Sequence, residues 1–155
     1  MAVNLFKLVK NKEYVVVFHT GSSAFTAVNV AVNIGTSDIR FPTVLYNEGG
    51  DYNPANGVYT ARVPGVYWFS ATVSKGLGTD VDYVPCYLRV NSENKIRLYT
   101  DPMLENDRDG YSSTGSAAFR LQAGDRVQVG DCTRAESILS YISSHFSGFL
   151  IKPDF

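Results

Sequence analysis

The sequence predicts an all-β sandwich or jelly roll, and three observations predict it. No stretch beyond Thr20 carries a convincing helical period. Apolar residues come instead in short runs rich in β-branched and aromatic side chains. Between the runs sit "IGTSD", "NEGGDYNPANG", "KGLGTD", "NSEN", "DPMLENDRDG" and "QAGD", each holding Gly, Asn, Asp or Pro, the residues that tolerate turn geometry. About ten short strands in a chain of 155 residues fit one two-layer β domain with a real core.

The elements follow in order. The segment "NLFKLVKNKEY" reads as a short helix or the remnant of a stalk, so residues 1–20 are set apart as an N-terminal extension from a globular domain over 21–155. Strands are expected over 14–19, 24–32, 41–45, 58–63, 66–73, 83–90, 95–100, 115–121, 126–130 and 144–151. Pro64-Gly65 separates the fourth strand from the fifth. In the fifth, Tyr67, Phe69 and Ala71 fall on one side and Trp68, Ser70 and Thr72 on the other, so large residues lie on both faces. An antiparallel sheet commonly wets one of its faces, and this strand implies a second cover. In the sixth, Cys86 shares a side with Val84, Leu88 and Val90. Residues 115–121 and 126–130 read as a tight hairpin turned by Ala123-Gly124-Asp125, with Val127 and Val129 facing the core. In the last strand Phe146, Gly148 and Leu150 oppose Phe149 and Ile151. Gly148 weakens a strand interior and is expected where another backbone or a large ring approaches closely.

Composition excludes several classes. Hydrophobic residues make up 45% and charged residues 19%, which is globular rather than disordered. The net charge is −1, with no basic block and no acidic tail, which argues against electrostatic binding of nucleic acid. No apolar run reaches the length of a membrane span. Lys7, Lys10, Lys12 and Glu13 interrupt the N-terminal segment, which does not read as a signal peptide. A secreted protein would have lost its signal before this chain begins. Cys86 occupies the ordinary position of a buried structural thiol, and a bridge to Cys132 is the alternative.

Nothing selects an enzyme. His19 and His145 lie in no metal-ligand spacing. No nucleophile elbow, P-loop or dinucleotide fingerprint occurs, and no pair of carboxylates stands out. The one dense acidic cluster, "TDPMLENDRDGYSS", carries Asp101, Glu105, Asp107 and Asp109. It reads either as a solvated loop or as part of an oxygen shell for a hard cation such as Ca²⁺.

The spacing of Phe41, Asn47, Tyr52, Tyr59, Gly65, Tyr67 and Phe69 resembles the signature of the C1q globular domain, of the C1q/TNF-like superfamily. Tyr59 stands for Phe, and Ala71 stands where a ring is expected, which leaves a gap for Trp68 or another neighbour to fill. Thr114-Gly115-Ser116, "AGDRVQV" and the closing "SSHFSGFLI" with Gly148 and Phe149 resemble later family motifs in the expected order. The resemblance implies a ten-stranded jelly roll that assembles as a trimer, so that a neighbouring subunit covers the second face. It also implies a Ca²⁺ site at Asp101 and Asp109, which are eight residues apart, with Glu105 and Asp107 as helpers or surface groups. The implied function is a secreted, extracellular, non-enzymatic homotrimer of innate immunity that binds glycans or microbial surfaces by multivalency. Tyr52, Asn53, Arg108 and Tyr111 are the candidate ligand contacts. The alternatives are a signalling or synaptic-organiser ligand that clusters protein receptors, or a structural head of a longer collagenous or coiled-coil chain.

Overall fold

The computed structural model describes residues 3–9, 12–18, 22–33, 35–76, 83–99, 110–138 and 143–154, the first two segments through their backbone pairing alone. Ten strands form two five-stranded antiparallel sheets. One sheet is ordered β11 (Glu93–Leu98), β10 (Cys86–Val90), β13 (Arg126–Gly130), β8 (Val58–Thr60) and β7 (Tyr52–Asn53). The other is ordered β12 (Tyr111–Leu121), β9 (Gly65–Lys75), β14 (His145–Pro153), β3 (Ala24–Val28) and β6 (Thr43–Glu48). Consecutive strands alternate between the sheets often enough to make the sandwich a jelly roll, as the spacing of turns and strands predicts. A short pair, β4 (Ala31–Val32) with β5 (Ile39–Arg40), is added beside them.

The aromatic alternation supplies the core. Tyr67, Phe69 and Ala71 on β9 are fully buried and point between the sheets. Phe25 stacks on Tyr52 at 4.6 Å and meets Phe146 edge-on at 4.8 Å, while Tyr59 meets Phe69 edge-on at 5.1 Å. Offset-stacked and edge-to-face pairs are the favourable arrangements of ring quadrupoles. Each buried phenol also finds a partner, as burial of a hydroxyl demands. Tyr67 donates to the Val63 carbonyl at 2.7 Å, and Tyr59 pairs with the Ser23 hydroxyl at 2.6 Å. Tyr52 donates to the Phe41 carbonyl and accepts from the Phe41 N–H.

Two glycines are fixed by close approach. A Cβ on Gly148 would lie 2.3 Å from the Phe69 ring, so the tight-ring explanation for a glycine in this strand holds. A Cβ on Gly115 would meet the Ile96 and Leu98 side chains of the facing sheet. Ala71 is covered by Phe146, its cross-strand neighbour on the inner face. Trp68 lies on the opposite face and does not fill that position.

Several expectations are corrected. The segment read as a short helix or a stalk remnant is not helical: it contributes β1 (Val3–Val9), which pairs antiparallel with β2 (Lys12–Phe18) in a sheet of its own. The run Val15–Val16–Val17 favours extended backbone and recruits Leu5 and Phe6 into register opposite it. The run 24–32 is broken at Asn29, whose φ of 63° ends β3 before β4. Residues 115–121 and 126–130 are not a hairpin, because β12 and β13 belong to different sheets. Gln122–Asp125 is a corner, docked on Ala61 through the Gly124 N–H to the Ala61 carbonyl and the Ala61 N–H to the Asp125 carbonyl, both at 2.8 Å. Cys86 is not a free thiol: it is bridged to Cys132, with the two Cα atoms 4.2 Å apart.

Candidate functional site: an open sheet face and two loop regions

The outer face of the β12-β9-β14-β3-β6 sheet answers which side of β9 lacks cover. Trp68 is 37% exposed and lies directly across from Phe149, itself 46% exposed. Ile151 on β14 and Tyr46 on the edge strand β6 extend the exposed apolar set. The other half of the same face is a ladder of hydroxyls. Ser116 donates to Ser70 at 2.9 Å, Thr72 pairs with Thr114 at 2.7 Å, and Ser74 pairs with Ser112 at 2.7 Å. His145 adds a 3.4 Å contact to Thr72, on a half-buried strand position. A face with rings at one end and self-satisfied hydroxyls at the other is suited to burial against protein.

The signature residues are structural in this fold. Phe41, Tyr52, Tyr59, Tyr67 and Phe69 are core. Asn47 clamps the chain across the Gly49-Gly50 turn: its amide donates to the Tyr52 carbonyl and its oxygen accepts from the Tyr52 N–H. Gly65 lies where a Cβ would strike the Lys152 carbonyl at 2.5 Å. The expectation that Tyr52 contacts ligand is corrected. It is 2% exposed, and burial pushes its phenol up to about 12, partly offset by its bond to Phe41 and by the charge of Arg40. A ring locked in the core presents no face to a sugar.

The remaining candidates are spread out. Asn53 is exposed, and its side-chain oxygen accepts from the Ala55 N–H at 2.9 Å, shaping the β7–β8 turn. Tyr111 opens β12, with the Lys75 ammonium 5.4 Å over its ring. Asp101, Glu105, Asp107, Arg108 and Asp109 lie outside the described residues, as does His19. Among the described residues no three His, Cys, Asp or Glu side chains come together as a metal group.

A feature that no motif announces is a cleft of about 290 Å³ lined by Val32, Asn33, Arg40 and Ala55. It lies between the loop joining β4 to β5 and the β7–β8 turn. Its residues come from three short segments within positions 32–55 and have no characteristic spacing, so the fold assembles them.

Comparison with known proteins places this arrangement in the C1q/TNF-like class of β-sandwiches. The globular domain of zebrafish complement 1qA superposes with a TM-score of 0.64 at 20% identity, covering 85% of this chain and 99% of that one. Murine APRIL superposes with a TM-score of 0.59 at 12% identity, covering 83% and 98%. The C1q domain profile matches residues 23–151, and the chain belongs to the C1q domain family. It is 34% identical over 118 residues to a subcomponent polypeptide of mouse complement C1q, covering 75% of this chain and 44% of that one. It is 32% identical over 138 residues to the mouse collagen alpha-1(X) chain, covering 84% and 19%. It is 29% identical over 140 residues to the human complement C1q tumor necrosis factor-related protein 2, covering 88% and 46%. The chain thus spans less than half the length of each of these three. Members of the family are non-enzymatic recognition and signalling proteins that form trimers. Among the described residues no helix is long and apolar enough to cross a membrane.

Proposed function

We propose that this chain is the head of a secreted homotrimer that recognises glycans or microbial surfaces through several equal, individually weak sites. The observation that carries the reading is the exposed set of Trp68, Phe149, Ile151 and Tyr46 on one sheet face. A lone copy would leave these side chains in water, and obligate interfaces of about 2,000 Å² or more hide such surfaces by sharing them. Three copies around an axis then present three equivalent ligand sites, and linked weak contacts gain strength by avidity. The Cys86–Cys132 bridge supports an oxidising, extracellular setting.

Light scattering combined with a glycan and bacterial-surface array tests both halves. The expected mass is that of a trimer, and Trp68→Ser with Phe149→Ser together should give a monomer that loses array signal. A soluble monomer of the unaltered protein at micromolar concentration would refute the assembly. An intact trimer that captures no glycan and no bacterial component would refute the recognition role, and glycosidase-insensitive capture of a membrane protein would favour a receptor ligand instead.

A further inference from the structure

We propose that the cleft at Arg40 is a subsite for the carboxylate of an acidic sugar. The proposal rests on the glycan reading above and adds the ligand class and its anchor. Arg62, Arg89 and Arg120 each form an ion pair with an aspartate. The Arg40 side chain has no hydrogen bond or ion pair among the described residues, and none of the described residues that line the cleft is a carboxylate. A guanidinium presents a planar fork of donors that matches a carboxylate in bidentate fashion. Without an acidic neighbour in the cleft, its field is available to an incoming anion.

The walls are held before any ligand arrives. Asp38 accepts from Arg89 at 2.8 Å, from Gln128 at 2.8 Å and from the Asp131 N–H at 3.1 Å, which ties the β4–β5 loop to β10 and β13. The Cys132 N–H bonds the Ser37 carbonyl in the same loop. The Asn33 amide donates to the Asn56 carbonyl at 3.0 Å and latches this loop to the β7–β8 turn. Gly57, with φ of 81°, lets that turn approach β5 so closely that a Cβ would lie 2.5 Å from the Ile39 carbonyl. A fixed wall lowers the ordering cost of binding.

The lining matches one sugar unit. Arg40 supplies the charge. Asn33 lines the cleft, and its side-chain oxygen has no partner among the described residues, which leaves it able to accept from a hydroxyl. Val32, which is 40% exposed, and Ala55 offer apolar contact to C–H groups or a methyl. The volume of about 290 Å³ lies at the small end of ligand pockets, fitting a terminal residue rather than an oligosaccharide. Single-site affinity is then weak, which suits a trimer.

The experiment titrates the intact protein with glucuronic acid and N-acetylneuraminic acid, with glucose, N-acetylglucosamine and acetate as controls, following amide and guanidinium NMR shifts. Both acidic sugars should shift Arg40, Asn33 and Ala55 signals. The neutral sugars should bind at least about tenfold more weakly, since hydrogen bonds to a charged partner carry that much, and acetate should bind more weakly because it lacks the hydroxyls and C–H surface that meet Asn33, Val32 and Ala55. Arg40→Gln and Arg40→Lys should each lose at least about tenfold, because lysine lacks the bidentate fork. Ala55→Leu should block the cleft with the guanidinium retained, and unchanged melting temperatures certify the fold of each variant. Acidic-sugar binding that survives Arg40→Gln and Ala55→Leu overturns the subsite while leaving glycan recognition standing. Acetate binding as well as the sugars overturns the sugar class, and a trimer that binds no glycan of any kind removes both readings.

Discussion

Replacing Gly148 with Ala is the most direct probe of how this core is packed. The added Cβ would lie 2.3 Å and 2.6 Å from two carbons of the Phe69 ring and 3.0 Å from a Phe25 ring carbon, where ordinary contact begins at 3.4 Å. The Phe69 ring must therefore retreat by about 1 Å. It has little room to do so, because Tyr59, Tyr67, Phe119 and Phe146 all lie within ring-contact distance of it. Overpacking of this kind costs about 1–3 kcal/mol. The rigid ring on one side and strand backbone on the other place the cost near the top of that range. At about 2–3 kcal/mol, the melting temperature of a chain this size falls by roughly 4–12 °C. The assay is urea and thermal unfolding at fixed protein concentration, since assembly makes apparent stability concentration-dependent. Phe69→Leu removes ring atoms at the point of collision and should destabilise alone. Combined with Gly148→Ala, it should cost at least about 1 kcal/mol less than the two separate losses added together. Gly148→Ala with the stability of the unaltered protein, or strict additivity in the double variant, would refute the packing argument.

Three further outcomes are expected. Replacing Cys86 and Cys132 together by Ser frees a loop of 46 residues, which the chain-entropy relation values at about 4 kcal/mol; a urea midpoint that does not move would remove the bridge. Burial pushes the phenol of Tyr52 up to about 12 and raises those of Tyr59 and Tyr67, so the folded state holds protons that the unfolded chain releases near pH 10. The stability these phenols contribute should then be fully present below pH 10 and be lost as pH climbs through about 12, with phenolate absorbance rising in step with unfolding. We propose that Asp101 and Asp109 hold Ca²⁺, in which case chelation lowers the melting temperature and Asp101→Asn with Asp109→Asn abolishes the difference.

The parts of this fold legible in sequence are those written as local period. Alternation in "VYWFSATV" separates Tyr67 and Phe69 from Trp68, and the structure puts the first pair in the core and Trp68 on the open face. Gly148 is legible because a glycine inside an aromatic strand needs a steric reason. Pairing between distant segments is not written this way. A short Gly-Asp turn between two strands looks the same whether it closes a hairpin or rounds a sandwich corner. Bonds to Ala61, more than sixty residues upstream of Gly124, make it a corner. Periodicity shows that Cys86 faces inward but not that Cys132 arrives opposite it. In "NLFKLVKNKEY" the spacing of Leu5 and Leu8 suits a helix, and only pairing with the valines of β2 decides for a strand. Arg40 carries no motif at all; it gains meaning from two loops brought together by Gly57 and the Asn33–Asn56 bond.

The hydroxyl half of the open sheet face allows a test that separates assembly from folding. Thr72 is 7% exposed and its hydroxyl pairs with that of Thr114, which is itself exposed in the single copy. Thr72→Val removes one partner. In a lone copy water can bond the Thr114 hydroxyl, so the stability of the dissociated chain should change by less than about 1 kcal/mol. Once the face is covered by a neighbour, that water is excluded and the orphaned hydroxyl costs about 1–3 kcal/mol in each protomer. Thr72→Val should therefore raise the concentration at which the trimer dissociates by at least about tenfold while barely moving unfolding of the dissociated chain. Adding Thr114→Val removes the orphaned hydroxyl, leaving only the long 3.4 Å contact to His145 unmade, and should restore most of the assembly strength, because an apolar pair of similar shape is nearly neutral. The measurement is mass by light scattering or sedimentation across a dilution series. Single and double variants that dissociate at the same concentration would show that this part of the face stays wet, and would move the contact between protomers to the ring-bearing end at Trp68 and Phe149.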